Sequence, residues 1–569
     1  MIGRSFASRR FPPVALLRAL AVTALTMLAT ADVTQRARAA LALVIRYPSP
    51  DAQIGAVRSS FVFGAAPPGA AVTVNGTSAL VAPDGGWIAY VPFSSGRFAL
   101  RVHASLGDES ADALEYVAVE TSATPAFPAS TTIVAVGESI ALAVAAPSGS
   151  SVTVSGPGFS GIALRSTDDG AFAATIDSAQ AGGPTPVVYH IVSPEGVRRD
   201  VVSDATLEVA AQEPLYTGVV IPYEPDPESG FRPYGLLAPA PYADTTLTEP
   251  VGTPLAVTGR RGNYLRVHLG DLGDLWIDRR EVAQPGASPA PETEPALDPA
   301  RWQIYTIALR ERAPFRVDED VEHATLRLTV VGAGLRGADA TWTFAPRQRT
   351  LWGYRTWWSG DRLLLAVKKP PGFASAPRPA LDGLLVVVDP GHSPDTGAIG
   401  PLGTTEREVN LDIATRLAQS LRAKGARVVM TRTDSEPVLL YDRPKLAESL
   451  DADVLISVHN NAWPDGVDPT TAHGFTIYYY QPHSLALAQA MHAAYSRDMD
   501  LPDQGVHTGD FALVRSSQLP SVLTESAFIT WPWEEMDLRE PAFRQRLAAT
   551  MANGLERWAE SMRTLESDR

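Results

Sequence analysis

The chain has 569 residues, of which 45% are apolar and 20% charged, and a formal net charge of -15. A chain of this length is too long to fold around one hydrophobic core, so several domains are expected. The composition is typical of folded domains rather than of general disorder. The negative charge disfavours nucleic acid as the main partner, because phosphate binding needs clustered Lys and Arg. The chain contains no cysteine, which excludes disulfides and thiolate chemistry. Any metal site must therefore use His, Asp or Glu.

The N-terminus has the pattern of an export signal. Basic residues precede a short apolar run at 19–29, and Ala29-Thr30-Ala31 fits a small-x-small cleavage site, with Ala37-Arg38-Ala39 as a second candidate. We expect a signal peptide over 1–31 and export to the periplasm or cell envelope, without stable membrane insertion after cleavage. An uncleaved signal anchor is the alternative.

Residues 41–122 and 123–212 are predicted to form two β-sandwiches, because both are rich in Val, Thr and Gly with short alternating runs. A weak repeat links them: residues 72–76 are followed by Asp84-Gly85, and residues 152–156 by Asp169-Gly170. Asn-Gly and Asp-Gly favour tight hairpins. The pattern resembles bacterial immunoglobulin-like modules.

Residues 213–284 are similar to the SH3-like module found in wall-associated bacterial proteins, on the strength of residues 257–267 and 275–277. Tyr264 and Trp276 are either aromatic residues of a small barrel core or a surface that grips a glycan or peptide.

Residues 285–299 are rich in Pro, Ala and Glu and are predicted to be an extended linker. Residues 300–371 are β-rich again and loosely resemble wall-targeting domains that precede some amidases. A second Pro-rich break covers 370–379.

Residues 380–566 have a different pattern, with alternating strands and helices that predict an α/β domain. The apolar run 384–388 is typical of a strand buried on both faces. An amphipathic helix follows, with apolar residues every four positions from Val409 and an end at Gly425. The further elements that we predict are strands at 428–430, 454–458, 475–480, 511–514 and 522–523, and helices at 443–450, 484–497 and from 541.

Four polar residues stand at or just past the strands of this domain, where α/β sheets bind ligands. His392 follows the first strand, Glu406 lies in the loop before the first helix, His459 ends the third strand, and Glu525 closes a late strand. Two imidazoles and a carboxylate suit Zn²⁺ and leave a fourth position open for water, as in catalytic sites.

The same stretch carries a family resemblance through an ordered set of motifs. They are Val388-Asp389-Pro390-Gly391-His392, Thr396-Gly397-Ala398, residues 403–406 with Val409-Asn410-Leu411, Thr431-Arg432, residues 457–462, and residues 523–529. From about residue 381 to 565 the chain resembles the zinc-dependent N-acetylmuramoyl-L-alanine amidases of the amidase 3 type. The resemblance implies that His392, Glu406 and His459 hold Zn²⁺ and that Glu525 is the catalytic carboxylate.

Three departures from the family pattern concern the groove rather than these four residues. Ser393-Pro394-Asp395 stands where relatives usually have glycines, Ala527 replaces a Gly, and Trp531 replaces an Asn within Trp531-Pro532-Trp533. The short segment 464–471 leaves no room for the inhibitory helix that some relatives carry there.

Other polar residues near the motifs leave alternatives open. Glu408 is the rival of Glu406 as ligand, although an acid in the first helical turn is also favoured by the helix dipole. Asn460 and Asn461 are candidate substrate contacts, and Arg443 is expected to form a structural salt bridge. The remaining histidines of this domain are assigned no role in the site, and His473 is expected at the surface, with substrate contact as the alternative. The four histidines are His473, His483, His492 and His507.

The predicted whole is a multi-domain exported hydrolase, with all-β modules followed by an α/β zinc-hydrolase domain that cleaves peptidoglycan between N-acetylmuramic acid and L-alanine. Its expected partner is peptidoglycan and its expected cofactor is Zn²⁺, and the sequence leaves open whether a protein activator also binds. Two alternatives remain: a wall-binding protein with a degenerate amidase domain, and a zinc peptidase acting within the stem peptide.

Overall fold

The computed structural model describes residues 41–567, apart from residues 121–123, 168–169, 222–233, 241–244, 284–293 and 374–377. The predicted signal peptide, most of the predicted linker and part of the second Pro-rich break lie outside the described residues. The described chain is largely β-rich and ends in a domain with a mixed sheet and helices. None of the described helices combines the length and the apolar character that crossing a membrane requires.

Residues 44–119 form two antiparallel-rich sheets that we call the N-terminal sheet pair. Its strands are β1 (Val44–Tyr47), β2 (Gln53–Ile54), β3 (Ser59–Ala65), β4 (Ala71–Val74), β5 (Thr77–Ser78), β6 (Leu80–Val81), β7 (Gly86–Pro92), β8 (Gly96–Leu106) and β9 (Glu109–Val119). One sheet has the order β1-β3-β7-β6 and the other β2-β9-β8-β4-β5. Side chains from both, such as Trp87 and Leu100, share one buried cluster. The predicted Asn75-Gly76 hairpin is confirmed, since both residues have positive φ between β4 and β5.

The next two segments share one continuous sheet. The first contains β10 (Thr132–Ala135), β11 (Ser139–Ala145), β12 (Ser151–Gly156), β13 (Phe159–Ser166), β14 (Ala171–Asp177), β15 (Gly182–Val192) and β16 (Arg198–Ala210). The second contains β17 (Tyr216–Val220), β18 (Tyr234–Leu236), β19 (Thr245–Thr248), β20 (Pro254–Arg261), β21 (Tyr264–His268), β22 (Asp274–Asp278) and β23 (Val282–Ala283). Strand β10 joins them, because it pairs with β16 on one side and β20 on the other.

Tyr264 and Trp276 of the second segment pack outward against the C-terminal domain. Both are half-buried and contact a cluster that includes Tyr441, Leu455 and Leu513. The two aromatic side chains therefore contribute to a contact between segments, which neither of the two sequence interpretations anticipated.

Residues 302–368 form two three-stranded sheets around a common core. The strands are β24 (Trp302–Ala308), β25 (Phe315–Asp320), β26 (Thr325–Val330), β27 (Ala340–Phe344), β28 (Tyr354–Ser359) and β29 (Arg362–Lys368). Lys368 is buried where this segment meets the C-terminal domain, and its Nζ lies 2.9 Å from Asp451. Arg301 adds a second ion pair to Asp453 at 2.6 Å.

The C-terminal domain has a six-stranded sheet of order β31-β30-β32-β35-β33-β34. Its elements are β30 (Leu385–Pro390), α1 (Glu406–Ala423), β31 (Arg427–Met430), α2 (Asp442–Ser449), β32 (Val454–Asn461), β33 (Phe475–Tyr479), α3 (Leu485–Asp498), β34 (Asp503–Thr508), β35 (Ser521–Phe528), α4 (Pro532–Arg539) and α5 (Pro541–Ser567). All neighbouring pairs are parallel except β33 and β35.

Two predicted features of this domain are confirmed by their packing. In β30, Val386 and Val388 face a cluster with the helices, whereas Val387 faces a cluster on the other side of the sheet. Helix α1 buries the predicted apolar stripe that begins at Val409, and the chain leaves it at Gly425, which has a φ of 96°. A glycine tolerates this left-handed conformation without steric cost.

The predicted strand at 511–514 is wrong, because those residues form a turn. The side chains of Ala512 and Leu513 are buried under the sheet, whereas Phe511 is exposed, so the apolar run reflects packing rather than a strand. The sixth strand of the sheet is β34 instead, which lies at the sheet edge and pairs only with β33. An edge strand does not need a continuous apolar run, so its sequence carries no such signal. The short helix α4 was also absent from the prediction.

Candidate metal centre

Three predicted ligands converge at one edge of the C-terminal sheet. Nε2 of His392 lies 2.9 Å from Oε2 of Glu406, and Nδ1 of His459 lies 3.1 Å from Oε1 of the same carboxylate. Potential ligand atoms of the three side chains all lie within 4.8 Å of one another. Glu406 is the first residue of α1 rather than part of the preceding loop, and His459 lies within β32 rather than at its last residue.

The backbone around the cluster leaves no space for larger residues. A Cβ at Gly391 would lie 2.2 Å from Cε1 of His459, and one at Gly397 would lie 2.6 Å from Oε2 of Glu406. Because β30 and β32 are parallel neighbours with Pro390 opposite Val458, the segments that follow them meet at the same edge. The glycines of the two motifs therefore let the imidazoles and the carboxylate approach each other.

Further polar groups orient these three side chains. Nδ1 of His392 lies 2.5 Å from Oδ1 of Asp395, which leaves Nε2 facing Glu406. Glu406 also accepts hydrogen bonds from the backbone N–H of Ala398 at 3.0 Å and from the side chain of Asn410 at 3.1 Å. A carboxylate on the second nitrogen of a ligating histidine is the common arrangement in metal sites.

Buried arginines hold the loop after β30. Arg443 donates to Asp389 at 2.9 Å and to the carbonyl of Pro390 at 2.8 Å. Arg432 donates to the carbonyl of Gly391 at 2.8 Å. The expected structural salt bridge of Arg443 is confirmed, and its effect is to fix the backbone that carries His392.

The charge distribution favours an ionised Glu406. Burial opposes ionisation, yet the hydrogen bonds from His392 and His459 outweigh it and hold the pKa of Glu406 well below its usual range. Burial likewise lowers the pKa of His392, but the adjacent Glu406 and Asp395 outweigh it and raise that pKa. The cluster thus presents a buried negative charge between two imidazoles.

Glu525 lies opposite His459 in the pairing of β35 with β32. Its Oε2 is shielded from solvent and has no hydrogen-bond partner within the described residues. Burial, together with the charge of Glu406, raises the pKa of Glu525 well above its usual range. A carboxyl group in this state can take up and release a proton.

The donor set fits a divalent metal ion. Two imidazole nitrogens and one carboxylate oxygen are the ligands of many catalytic metal sites, and they leave a position open for a reactant. The orphaned oxygen of Glu525 is the additional polar group that such a site uses beside its ligands.

Comparison with known proteins finds a family match over the same domain. Residues 386–557 match the family model described as N-acetylmuramoyl-L-alanine amidase. The solved structure of the N-acetylmuramoyl-L-alanine amidase AmiC2 of Nostoc punctiforme is 31% identical, and the match covers 32% of this chain and 99% of that one, with a TM-score of 0.30. The chain therefore carries, over residues 386–557, a domain that matches the N-acetylmuramoyl-L-alanine amidase family.

Two curated relatives match the amidase domain, one of them also beyond it. The N-acetylmuramoyl-L-alanine amidase LytC of Bacillus subtilis is 36% identical over 177 residues, which is 30% of this chain and 35% of LytC. The probable cell wall amidase LytH of Staphylococcus epidermidis is 26% identical over 258 residues, covering 45% of this chain and 84% of LytH. The chain thus spans about a third of the length of LytC.

The other histidines of the amidase domain have carboxylate or carbonyl partners and do not join the cluster in the part of the chain that the structure describes. His473 contacts Glu534 at 2.6 Å, His483 contacts Glu319 at 2.8 Å, His492 contacts Asp503 at 2.8 Å, and His507 contacts the carbonyl of Gln504 at 2.6 Å. His473 is half-buried and stacks on Trp531, with 4.7 Å between ring centroids.

Sequence reasoning treated Asp395 as a departure in groove shape and missed its contact with His392. Its spacing of three residues from His392 was the available signal. The burial of Asn460 argues against the predicted substrate contact, because its side chain donates to Asn410 at 2.8 Å. Asn461 is half-buried, and its contact with substrate stays a prediction. Glu408 is exposed in the first turn of α1, away from the ligand cluster.

Proposed function

We propose that the amidase domain hydrolyses the amide bond between N-acetylmuramic acid and L-alanine in peptidoglycan, with Zn²⁺ held by His392, Glu406 and His459. The observation that carries this proposal is the convergence of those three side chains beside the orphaned carboxyl oxygen of Glu525. When bound, Zn²⁺ supplies Lewis acidity, which activates water near neutral pH and polarises a carbonyl.

The residues of the chain would divide the remaining work. Glu525 accepts a proton from the water that attacks the lactyl carbonyl, so that the new carbon–oxygen bond forms without a free hydronium ion. The same carboxyl group then donates a proton to the nitrogen of L-alanine as the carbon–nitrogen bond breaks. General acid–base assistance of this kind is worth about 10²–10⁴-fold in rate. Asp395 and Asn410 keep His392 and Glu406 in the orientation that the metal requires.

Product analysis tests the proposal. The full chain is incubated with purified peptidoglycan, with and without a chelator, and the products are identified by mass spectrometry. Free stem peptides with an intact L-alanine amine, released only without chelator, are the expected result. Shortened peptides that are still attached to muramic acid would show that the enzyme is a peptidase instead of an amidase. Binding to peptidoglycan without release of any product would show that the domain is degenerate.

We further infer that the β-rich segments are modules that place the amidase domain on the cell wall after export. The proposed division is a signal peptide over 1–31, immunoglobulin-like sandwiches over 41–122 and 123–212, an SH3-like barrel over 213–284, a linker over 285–299, a β-rich domain over 300–371 and the amidase domain over 380–566. Separate hydrophobic clusters in four of these segments support the division. The description of the relative LytH as a probable cell wall amidase supports a location in the periplasm or cell envelope.

A further inference from the structure

The N-terminal sheet pair contacts the amidase domain at the segments that adjoin its site residues. These segments are residues 400–405, which precede Glu406, residues 462–467, which follow β32, and residues 528–539, which follow β35. They are far from the sheet pair in sequence, so the fold alone brings them to it.

The first contact is a set of hydrogen bonds to residues 465–466. The hydroxyl group of Tyr47 donates to Asp465 at 2.5 Å, and that of Ser60 donates to the same carboxylate at 3.3 Å. The hydroxyl group of Tyr90 donates to the carbonyl of Gly466 at 3.0 Å. These bonds fix both the side chain and the backbone of a loop that lies a few residues after His459.

The second contact is aromatic and buried. Phe61 of β3 packs edge-on against Trp463 with 6.0 Å between ring centroids, and Trp463 stacks on Phe528 at 4.7 Å. The exposed fractions of Phe61, Trp463 and Phe528 are 2%, 7% and 5%. The opposite face of β3 packs into the sheet pair's own core through Val62. One face of strand β3 therefore packs in the core of the sheet pair, and the other packs against the amidase domain. A module joined to the amidase domain only by a flexible linker would not have this second buried face.

The third contact runs through helix α4. Its Arg539 lies 3.3 Å from Asp84 of the sheet pair, and its Pro532 lies against Gly86. On its other side, the buried Glu535 accepts hydrogen bonds from the backbone N–H groups of Leu402 at 2.8 Å and Thr404 at 3.1 Å. Helix α4 thus connects the sheet pair with the loop that leads to Glu406.

The neighbouring Glu534 ties α4 to the strands of the site. It accepts hydrogen bonds from the backbone N–H groups of Phe528 at 2.6 Å and Gly474 at 3.2 Å. Thr476, two residues after Gly474, pairs with Glu525 across the sheet. The sheet pair, through α4 and the loop at 462–467, therefore reaches the supports of Glu406, His459 and Glu525.

We propose that the N-terminal sheet pair is a positioning element of the amidase site, which holds the segments 400–405, 462–467 and 528–539 in the arrangement that lets the ligands and Glu525 converge. The kinetic part of this inference rests on the proposed function. Packed interfaces with buried aromatic residues keep two domains in one arrangement, whereas small polar interfaces let them move. Loss of the contact should lower turnover because misplacement of a reacting group is costly even at a distance.

The test compares variants of the zinc-loaded full chain. Tyr47→Phe removes the hydroxyl group that Asp465 accepts from and keeps the ring, and Phe61→Ala removes a larger part of the interface. Tyr116→Phe is the matched control, because Tyr116 lies on β9 in the sheet that faces away from these contacts, with Arg97 over its ring at 3.9 Å. The readouts are amide hydrogen exchange of the three segments, and kcat and KM for muramoyl-peptide hydrolysis.

For Tyr47→Phe we expect about tenfold faster exchange in residues 462–467, since a hydrogen bond to a charged group is lost. We also expect kcat to fall about five- to tenfold with KM within about twofold, and Phe61→Ala to have a larger effect of the same kind. The proposal would be overturned if the amide exchange rates of the three segments in Tyr47→Phe and Phe61→Ala were the same as in Tyr116→Phe. Faster exchange with unchanged kcat would also overturn it, as would a change confined to KM. If the unsubstituted chain releases no product, the amidase proposal fails, whereas the exchange comparison still decides whether the sheet pair holds the loops.

Discussion

The carboxylate of Asp395 lies 2.5 Å from Nδ1 of His392, while the other ring nitrogen faces Glu406. The acid thereby selects the tautomer whose Nε2 lone pair is available to a metal ion. We predict that Asp395→Ala lowers the affinity for Zn²⁺ about 10–100-fold, the usual effect of removing such a partner. Competition with a fluorescent chelator measures the affinity directly, without reference to hydrolysis.

Glu408→Ala is the matched control for this measurement. Glu408 is an exposed acid close in sequence to Glu406, so its removal changes the net charge of the domain equally. We expect its Zn²⁺ affinity to stay within about twofold of the unsubstituted chain, because solvent and salt screen the charge of an exposed carboxylate. Equal losses in the two variants would mean that Asp395 acts through charge alone and does not orient His392.

The second prediction concerns Glu525, whose pKa is raised by burial and by the charge of Glu406. Glu525→Gln keeps the shape of the side chain and removes its ability to exchange a proton. Hydrolysis should fall about 10²–10⁴-fold while the Zn²⁺ content stays complete. The rate of hydrolysis is measured with a muramoyl peptide, and the Zn²⁺ content is measured by metal analysis of the same sample. If the variant hydrolysed the substrate as fast as the unsubstituted chain, Glu525 would not be a catalytic residue.

The third prediction uses the tight approach of Gly391 to the imidazole of His459. A Cβ at this position would lie 2.2 Å from Cε1 of the ring, so Gly391→Ala must displace the histidine or the backbone. We expect loss of Zn²⁺ binding with the domain still folded, measured by metal content and far-ultraviolet circular dichroism. Gly372→Ala is the control, because a Cβ there meets nothing within 4 Å. Full metal content in Gly391→Ala would show that the ligand set tolerates a shifted His459.

The elements around the site were predictable because their signals are local. The valines of β30 form a continuous apolar run, and α1 repeats an apolar residue every four positions from Val409, so both could be located from the sequence. The candidate ligand residues could be chosen from where those elements end, since parallel strands present their carboxyl ends at one edge.

The contacts between segments could not be predicted in the same way, because they depend on residues hundreds of positions apart. Tyr47 and Asp465 are joined only through the folded chain. One local signal was nevertheless present in β3, where Phe61, Val62 and Phe63 are consecutive apolar residues that are all buried. An antiparallel strand with one solvated face alternates instead, so this run indicated a covered outer face. Helix α4 left a weaker signal, since it is short and buries two acids, Glu534 and Glu535.

The last prediction concerns Glu249, which is 6% exposed and connects two β-rich segments by accepting a hydrogen bond from the backbone N–H of Phe315 at 3.0 Å. Burial outweighs the hydrogen bonds from Phe315 and Thr253 and raises the pKa of Glu249 to about 8. The folded chain therefore binds this proton more tightly than the unfolded chain, whose Glu has a pKa of about 4.3. Its contribution to stability is complete below the unfolded pKa, falls as the pH rises towards about 8, and is absent above that value.

Glu249→Gln removes this titration and keeps an oxygen that can accept from Phe315. At pH 4 the variant and the unsubstituted chain should unfold at similar urea concentrations, because the carboxyl group is then neutral in the folded chain and mostly protonated in the unfolded chain. At pH 9 the variant should require more urea, since the unsubstituted chain then holds a buried charge. The measurement is the urea midpoint at which β20, β21 and β22 lose protection in pulsed hydrogen exchange, with a pulse of fixed pH. Glu322→Gln, at an exposed position, is the control and should shift neither midpoint. Equal midpoints for Glu249→Gln and the unsubstituted chain at pH 9 would show that Glu249 does not carry this pH dependence.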